Sequence, residues 1–100
     1  MTSFQLTPQA VDDLFEIWSY IGEENPETAN RVEESILAAC RTLAESPFIG
    51  VMREDLTRLP VRFWLVQPFP NYFIVYDPAS EPLRIIRILH GARNIPSLLS

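Results

Sequence analysis

The chain has one cysteine, one histidine and no lysine among its 100 residues. Each scarcity excludes something. Cys40 alone cannot close a disulfide within the chain, and a Cys/His zinc site would lack ligands because His90 is the only histidine. The expectation is a protein without metal or cofactor. No apolar run approaches the roughly 20 residues needed to span a bilayer, and the opening residues show no basic segment before an apolar core. A cytoplasmic protein with no membrane partner is expected.

What is present suits one compact unit. A length of 100 residues with 47% hydrophobic content can bury one core, so a single domain over 1–100 is expected. The net charge of -5 is unevenly spread. Residues 1–52 carry nine acids against Arg31 and Arg41, whereas residues 53–100 carry six arginines against four acids. All eight cations are arginine. A guanidinium offers a planar fork of donors that suits paired contacts with carboxylates and phosphates. A GC-rich coding sequence would produce the same bias.

Phe4-Gln-Leu6 alternates as a short strand. Thr7-Pro8 then reads as a helix start, the threonine capping and the proline standing where its missing N–H costs nothing. Ala10, Val11, Leu14, Ile17, Trp18 and Ile21 recur at helical spacing, which places Trp18 in the core and Asp12, Asp13 and Glu16 outward. Asn25-Pro26 repeats the start signal. The second helix turns Ala29, Val32, Ile36, Ala39, Cys40 and Leu43 inward and ends at Ser46-Pro47. Beyond Gly50 the period changes to that of strands, with runs at Val61–Val66, Tyr72–Tyr76 and Leu83–Leu89 separated by turn-rich segments. The fold class is therefore α+β in the order β-α-α-β-β-β. Its expected architecture is two-layered, an antiparallel helix hairpin packed on a small antiparallel sheet with a meander of the last three strands.

The stretch from Arg84 to Ile95 concentrates chemistry. Arg84 and Arg87 interrupt an apolar strand, and His90, Gly91 and Arg93 follow at its exit. Charged groups in such a strand are costly unless they have partners or a task. His90 reads either as a group titrating near neutral pH or as a strand-capping residue bonded to the turn at Gly91. Arg93 reads as a partner of Asp55 or as a contact to a target.

Several segments match in order: Leu6-Thr-Pro-Gln-Ala10, Ile17-Trp-Ser-Tyr-Ile21, Pro26-Glu-Thr-Ala29, Leu43-Ala-Glu-Ser-Pro47, Arg53-Glu-Asp-Leu56, Phe69-Pro-Asn-Tyr-Phe-Ile-Val-Tyr76 and Ile88-Leu-His-Gly-Ala-Arg-Asn-Ile95. In these the chain resembles the ParE branch of the RelE/ParE toxin superfamily of bacterial type II toxin–antitoxin modules, which include plasmid stabilisation proteins. The resemblance implies neutralisation by direct binding of a ParD-like antitoxin with a ribbon-helix-helix DNA-binding domain, in a hetero-oligomeric complex. It also implies poisoning of DNA gyrase rather than RNA cleavage, with no chemistry of the toxin's own and no sequence-specific nucleic-acid binding.

The alternative within the superfamily is ribosome-dependent messenger-RNA cleavage, which needs a base, an acid and a stabiliser of phosphorane charge. The residues available for it are Arg62, Arg84, Arg87, His90 and Arg93, with Tyr76 as a further proton carrier. The absence of lysine, of the tyrosine or histidine-tyrosine pair those relatives carry after the last strand, and of net positive charge all count against it. A non-toxic member that only binds antitoxin is the remaining class. For a gyrase poison, the candidates for target contact are Arg84, Arg87, His90, Arg93, Leu98 and Leu99. For the antitoxin they are Glu23, Glu24 and Glu27 on the acidic hairpin, with Phe69 and Tyr72 near the turn between strands.

Overall fold

The computed structural model describes residues 3–91 and Leu99. Strand β1 (Phe4–Leu6) is followed by helices α1 (Pro8–Gly22) and α2 (Pro26–Glu45), then by strands β2 (Arg62–Leu65), β3 (Tyr72–Asp77) and β4 (Leu83–His90). Both helices begin as their sequences dictate. Thr7 accepts a hydrogen bond from the Ala10 N–H at 3.1 Å and Asn25 one from the Thr28 N–H at 3.0 Å, each satisfying an otherwise orphaned donor. Proline follows each cap.

The sheet order is β1-β4-β3-β2. The last three strands form the expected antiparallel meander, but the sheet is mixed rather than antiparallel, because β1 pairs parallel with β4. The reason is directional. Two antiparallel turns make β4 run the same way as β2, and residues 46–61 carry the chain back after α2 so that β2 sets out in the direction of β1. Between Val75 and Tyr76 the β3–β4 register slips, leaving Ile86 without a partner across the sheet. This bulge has a use. The Ile86 carbonyl accepts the Thr7 hydroxyl at 2.7 Å and the Ile85 carbonyl accepts the Thr7 N–H at 3.0 Å, so the start of α1 is tied to the bulged strand.

One face of the sheet meets the helices. Ala10 of α1 and Val32, Ile36, Cys40, Leu43 and Ala44 of α2 pack on Ile74, Tyr76, Leu83, Ile85 and Ile88. Strand alternation sends Phe63, Phe73, Val75 and Leu89 to the opposite face, where Val61 and Leu99 join them in a second, smaller cluster. Leu99, expected at a target contact, is 9% exposed there.

Three expectations for α1 are corrected, the first for Val11, which is 50% exposed although its spacing put it in the apolar series. Trp18 is 39% exposed and its indole N–H donates to the Asn30 side-chain oxygen at 2.9 Å, so it bridges the two helices at their surface instead of filling the core. Asp13, expected outward, is 5% exposed. It lies one helical turn from both Ala10 and Ile17, on the flank of the inner face, and the sheet supplies the partners that let it be buried.

Burial also fixes the state of Cys40. It pushes the thiol from 9.0 up to about 12, with the Arg41 charge opposing. The folded thiol therefore stays protonated while the unfolded one ionises above its ordinary value, so the unfolded chain binds fewer protons in alkali and stability falls as pH rises through 9.0. Alkylation by iodoacetamide is expected to be undetectable in the native protein and complete in urea. Rapid native labelling would mean that the α2–sheet interface opens locally.

Candidate functional site

Asp13 is the buried charge of the described core, and it is fully engaged. Its carboxylate accepts from Arg87 Nε at 2.7 Å, from Arg87 Nη2 at 2.9 Å and from the Ile88 N–H at 3.0 Å. The fork geometry is that of a bidentate arginine–carboxylate pair. Hydrogen bonding to Asp13 raises the Arg87 pKa, burial opposes, and the charges of Asp13 and Glu16 add to the rise. Arg87 is thus held as a positive charge against α1. Its side chain is 16% exposed.

The other arginines diverge from one another. Arg62 spends its guanidinium on the segment after α2, donating to the Gly50 carbonyl at 2.8 Å and the Phe48 carbonyl at 3.3 Å while lying 5.3 Å from the centre of the Phe48 ring. Arg84 is exposed at the start of β4, 4.0 Å from Asp77. A strand rises ~3.3 Å per residue, so Arg84 lies about 20 Å from His90 at the other end. Asp55, the expected partner of Arg93, is paired with Arg53 at 2.7 Å, and that pairing lowers its pKa. Arg93 and Leu98 lie outside the described residues. The arginines of the ribonuclease alternative that are described therefore do not gather at one point. Tyr76, its further proton carrier, is buried, with its hydroxyl committed to Pro47 and Gly50.

A cleft of about 640 Å³ opens between α1 and the ends of β3 and β4. Its helix wall carries Asp13, Glu16, Ser19, Tyr20 and Glu23, and its sheet wall Tyr72, Ile88 and His90. Tyr72 and His90 are register partners and meet edge to face, 5.2 Å between ring centres. At the strand exit the Gly91 N–H bonds to the Asn71 carbonyl at 2.8 Å. Burial and the nearby Tyr20 phenol raise the Tyr72 pKa and keep that hydroxyl protonated.

The sequence candidates distribute unevenly around this cleft. Glu23, Tyr72 and His90 line it. Glu24 and Glu27 are exposed beside it in the chain, at the link between helices and in the first turn of α2, where a carboxylate favours the helix N-terminus. Phe69 is half-buried and packs against the main core instead of standing free. Sequence reasoning missed Glu16 and Ser19 as site residues. Their signal was the spacing of Asp13, Glu16, Tyr20 and Glu23, which follows one flank of a helix.

A larger depression of about 830 Å³ lies by the other face of the sheet, lined by Val51, Leu56, Phe63, Leu65 and Phe73 among others. It is mostly apolar, and its lining runs to Gly91.

A family model described as the ParE toxin of the type II toxin–antitoxin system parDE matches residues 4–95. Among solved structures, the chromosomal ParDE toxin–antitoxin system from P. aeruginosa is similar to this chain, with a TM-score of 0.72 and 22% identity over 90% of this chain and 96% of that one. That likeness is one of fold. No curated relative matches the chain.

Proposed function

The chain belongs to the ParE family, the toxins of type II toxin–antitoxin systems, and on that premise we propose that a ParD-like antitoxin silences it by direct binding and that its free form inhibits DNA gyrase. The antitoxin would carry a ribbon-helix-helix DNA-binding domain and form a hetero-oligomer with the toxin in the bacterial cytoplasm. The toxin acts by binding and performs no chemistry of its own. The observation that carries this reading is the commitment of the arginines. Phosphodiester cleavage needs base, acid and charge stabiliser to converge on one phosphate. Here Arg87 is held by Asp13, Arg62 by backbone carbonyls, and Arg84 stands at the far end of β4 from His90. A binding function has no such demand.

The test is gyrase supercoiling and DNA cleavage by purified toxin, with and without antitoxin, beside ribosome-dependent messenger-RNA cleavage. The expected result is lost supercoiling or accumulated cleaved DNA, reversed by antitoxin, with RNA intact. RNA cuts with gyrase untouched would overturn the reading and direct attention to the Tyr72–His90 pair. Activity in neither assay, together with harmless overexpression, would leave a member that only binds antitoxin.

A further inference from the structure

The cleft between α1 and the ends of β3 and β4 is built for one kind of visitor. We propose that it seats a cationic side chain, arginine or lysine, of the antitoxin; the identity of the partner rests on the reading above. Tyr20 is 77% exposed, a wasteful placement for an aromatic ring that the fold alone does not require. It faces a cleft whose other wall carries Tyr72 and His90. Glu16 on α1 and Glu23 at its C-cap lie two helical turns apart on the same flank, on either side of Tyr20; neither carboxylate has a hydrogen-bond or ion-pair partner among the described residues, and Glu16 acts on Arg87 only through its charge. At the floor, Asp13 is already satisfied by Arg87 and the Ile88 N–H, so the cleft's open charge is that of the two glutamates. Aromatic faces attract a cation through their quadrupole, and carboxylates at the rim add charge-assisted hydrogen bonds. The same walls repel an anion.

Most of this chain's own arginines are already engaged. Arg41, Arg53 and Arg84 each lie within 2.9, 2.7 and 4.0 Å of a carboxylate of their own chain. Arg87 is buried against Asp13 and Arg62 is bound to carbonyls. Arg31, which donates to the Thr28 hydroxyl at 3.4 Å, and Arg58 are exposed cations that a second copy could bring, but a chain of net charge -5 repels its own copy, so a partner that brings its own cation fits better.

The experiment measures affinity between this toxin and the antitoxin encoded beside its gene over a range of salt concentrations. The variants are Glu16→Gln/Glu23→Gln together, Tyr20→Ala, and Glu45→Gln/Glu54→Gln as a control that removes equal charge from exposed positions away from the cleft. The cleft variants are expected to bind about tenfold more weakly, and the double glutamine variant to show a shallower salt dependence, while the control stays within about twofold of wild type. Equal weakening by the control pair would reduce the effect to bulk charge and overturn the inference, as would wild-type affinity in both cleft variants. Thermal unfolding of each variant checks folding. If Tyr20→Ala does not fold, the surface glutamine pair decides. Should the antitoxin fail to bind the wild-type toxin at all, the functional reading fails first and this inference with it. Self-association of the wild type that disappears in Glu16→Gln/Glu23→Gln, with antitoxin affinity unmoved, would give the cleft to a second copy instead.

Discussion

Replacing Asp13 with alanine is expected to lower the free energy of unfolding by about 3 kcal/mol, a large share of the stability of a domain this size. The loss has two sources. Arg87 is left charged and mostly buried without its carboxylate, and the Ile88 N–H loses its acceptor at 3.0 Å. Asparagine at the same position is expected to recover only part of this, because it keeps one acceptor oxygen but turns an amide N–H₂ toward a guanidinium. Arg87→Met alone strands the buried carboxylate and is expected to cost a similar amount. The double variant Asp13→Leu/Arg87→Met should cost far less than the sum, since exchanging both partners for apolar groups removes the burial penalty along with the attraction. Urea unfolding measures all four. Additive losses would show that the two side chains act independently and that the pair contributes no coupling.

This result bears directly on how toxicity data are read. Arg87 is one of the arginines that position and charge single out for target contact, yet its guanidinium is spent on the fold. Loss of toxicity in an Arg87 variant would therefore report unfolding before it reports a missing contact. Arg84 is the cleaner probe. It is exposed, and its substitution by alanine should leave stability within about 0.5 kcal/mol while any contact it makes to a target is lost.

The contrast between these two arginines marks what a sequence discloses here. Caps, helix faces and strand runs are local, and Thr7-Pro8, Asn25-Pro26 and the alternation around Ile74 are each decided within a few residues. Asp13 and Arg87 are 74 positions apart, and their meeting depends on the bulge that leaves Ile86 unpaired and on α1 being tied to that bulge through Thr7. Nothing in the local pattern around Arg87 indicates the bulge, so the strand arginine calls for a partner or a task without the sequence naming which. Asp13 was more accessible to reasoning, since its spacing from Ala10 and Ile17 already puts it on the inner flank. The parallel placement of β1 was hidden for a similar reason. It is set by the return path of residues 46–61, whose length permits either direction. The cleft falls between these cases: its helix wall follows from spacing along α1, but its sheet wall requires knowing that Tyr72 and His90 are register partners.

That return path is also where a single methyl group should do most damage. Gly50 is buried, and its N–H donates to the Tyr76 hydroxyl at 2.9 Å, while the same hydroxyl donates to the Pro47 carbonyl at 2.7 Å. A Cβ on residue 50 would overlap the Tyr76 hydroxyl oxygen and lie 2.9 Å from Cε1 and 3.0 Å from Cζ of the same ring. Tyr76 cannot retreat, because it is fully buried against both helices and the neighbouring strands. Gly50→Ala must therefore displace either the ring or the loop, and displacing the loop breaks the Arg62 bonds to the Gly50 and Phe48 carbonyls and disturbs the Val51–Phe63 bridge. The expected cost is about 3 kcal/mol, from overpacking plus buried polar groups left unpaired. Tyr76→Phe alone should cost about 1–3 kcal/mol, since it keeps the ring but removes the partner of both Pro47 and Gly50. The two changes share one contact, so the double variant is expected to be markedly more stable than the sum of the single losses predicts. Strict additivity in urea unfolding would mean that the strain in Gly50→Ala resides in the loop backbone and not against the tyrosine.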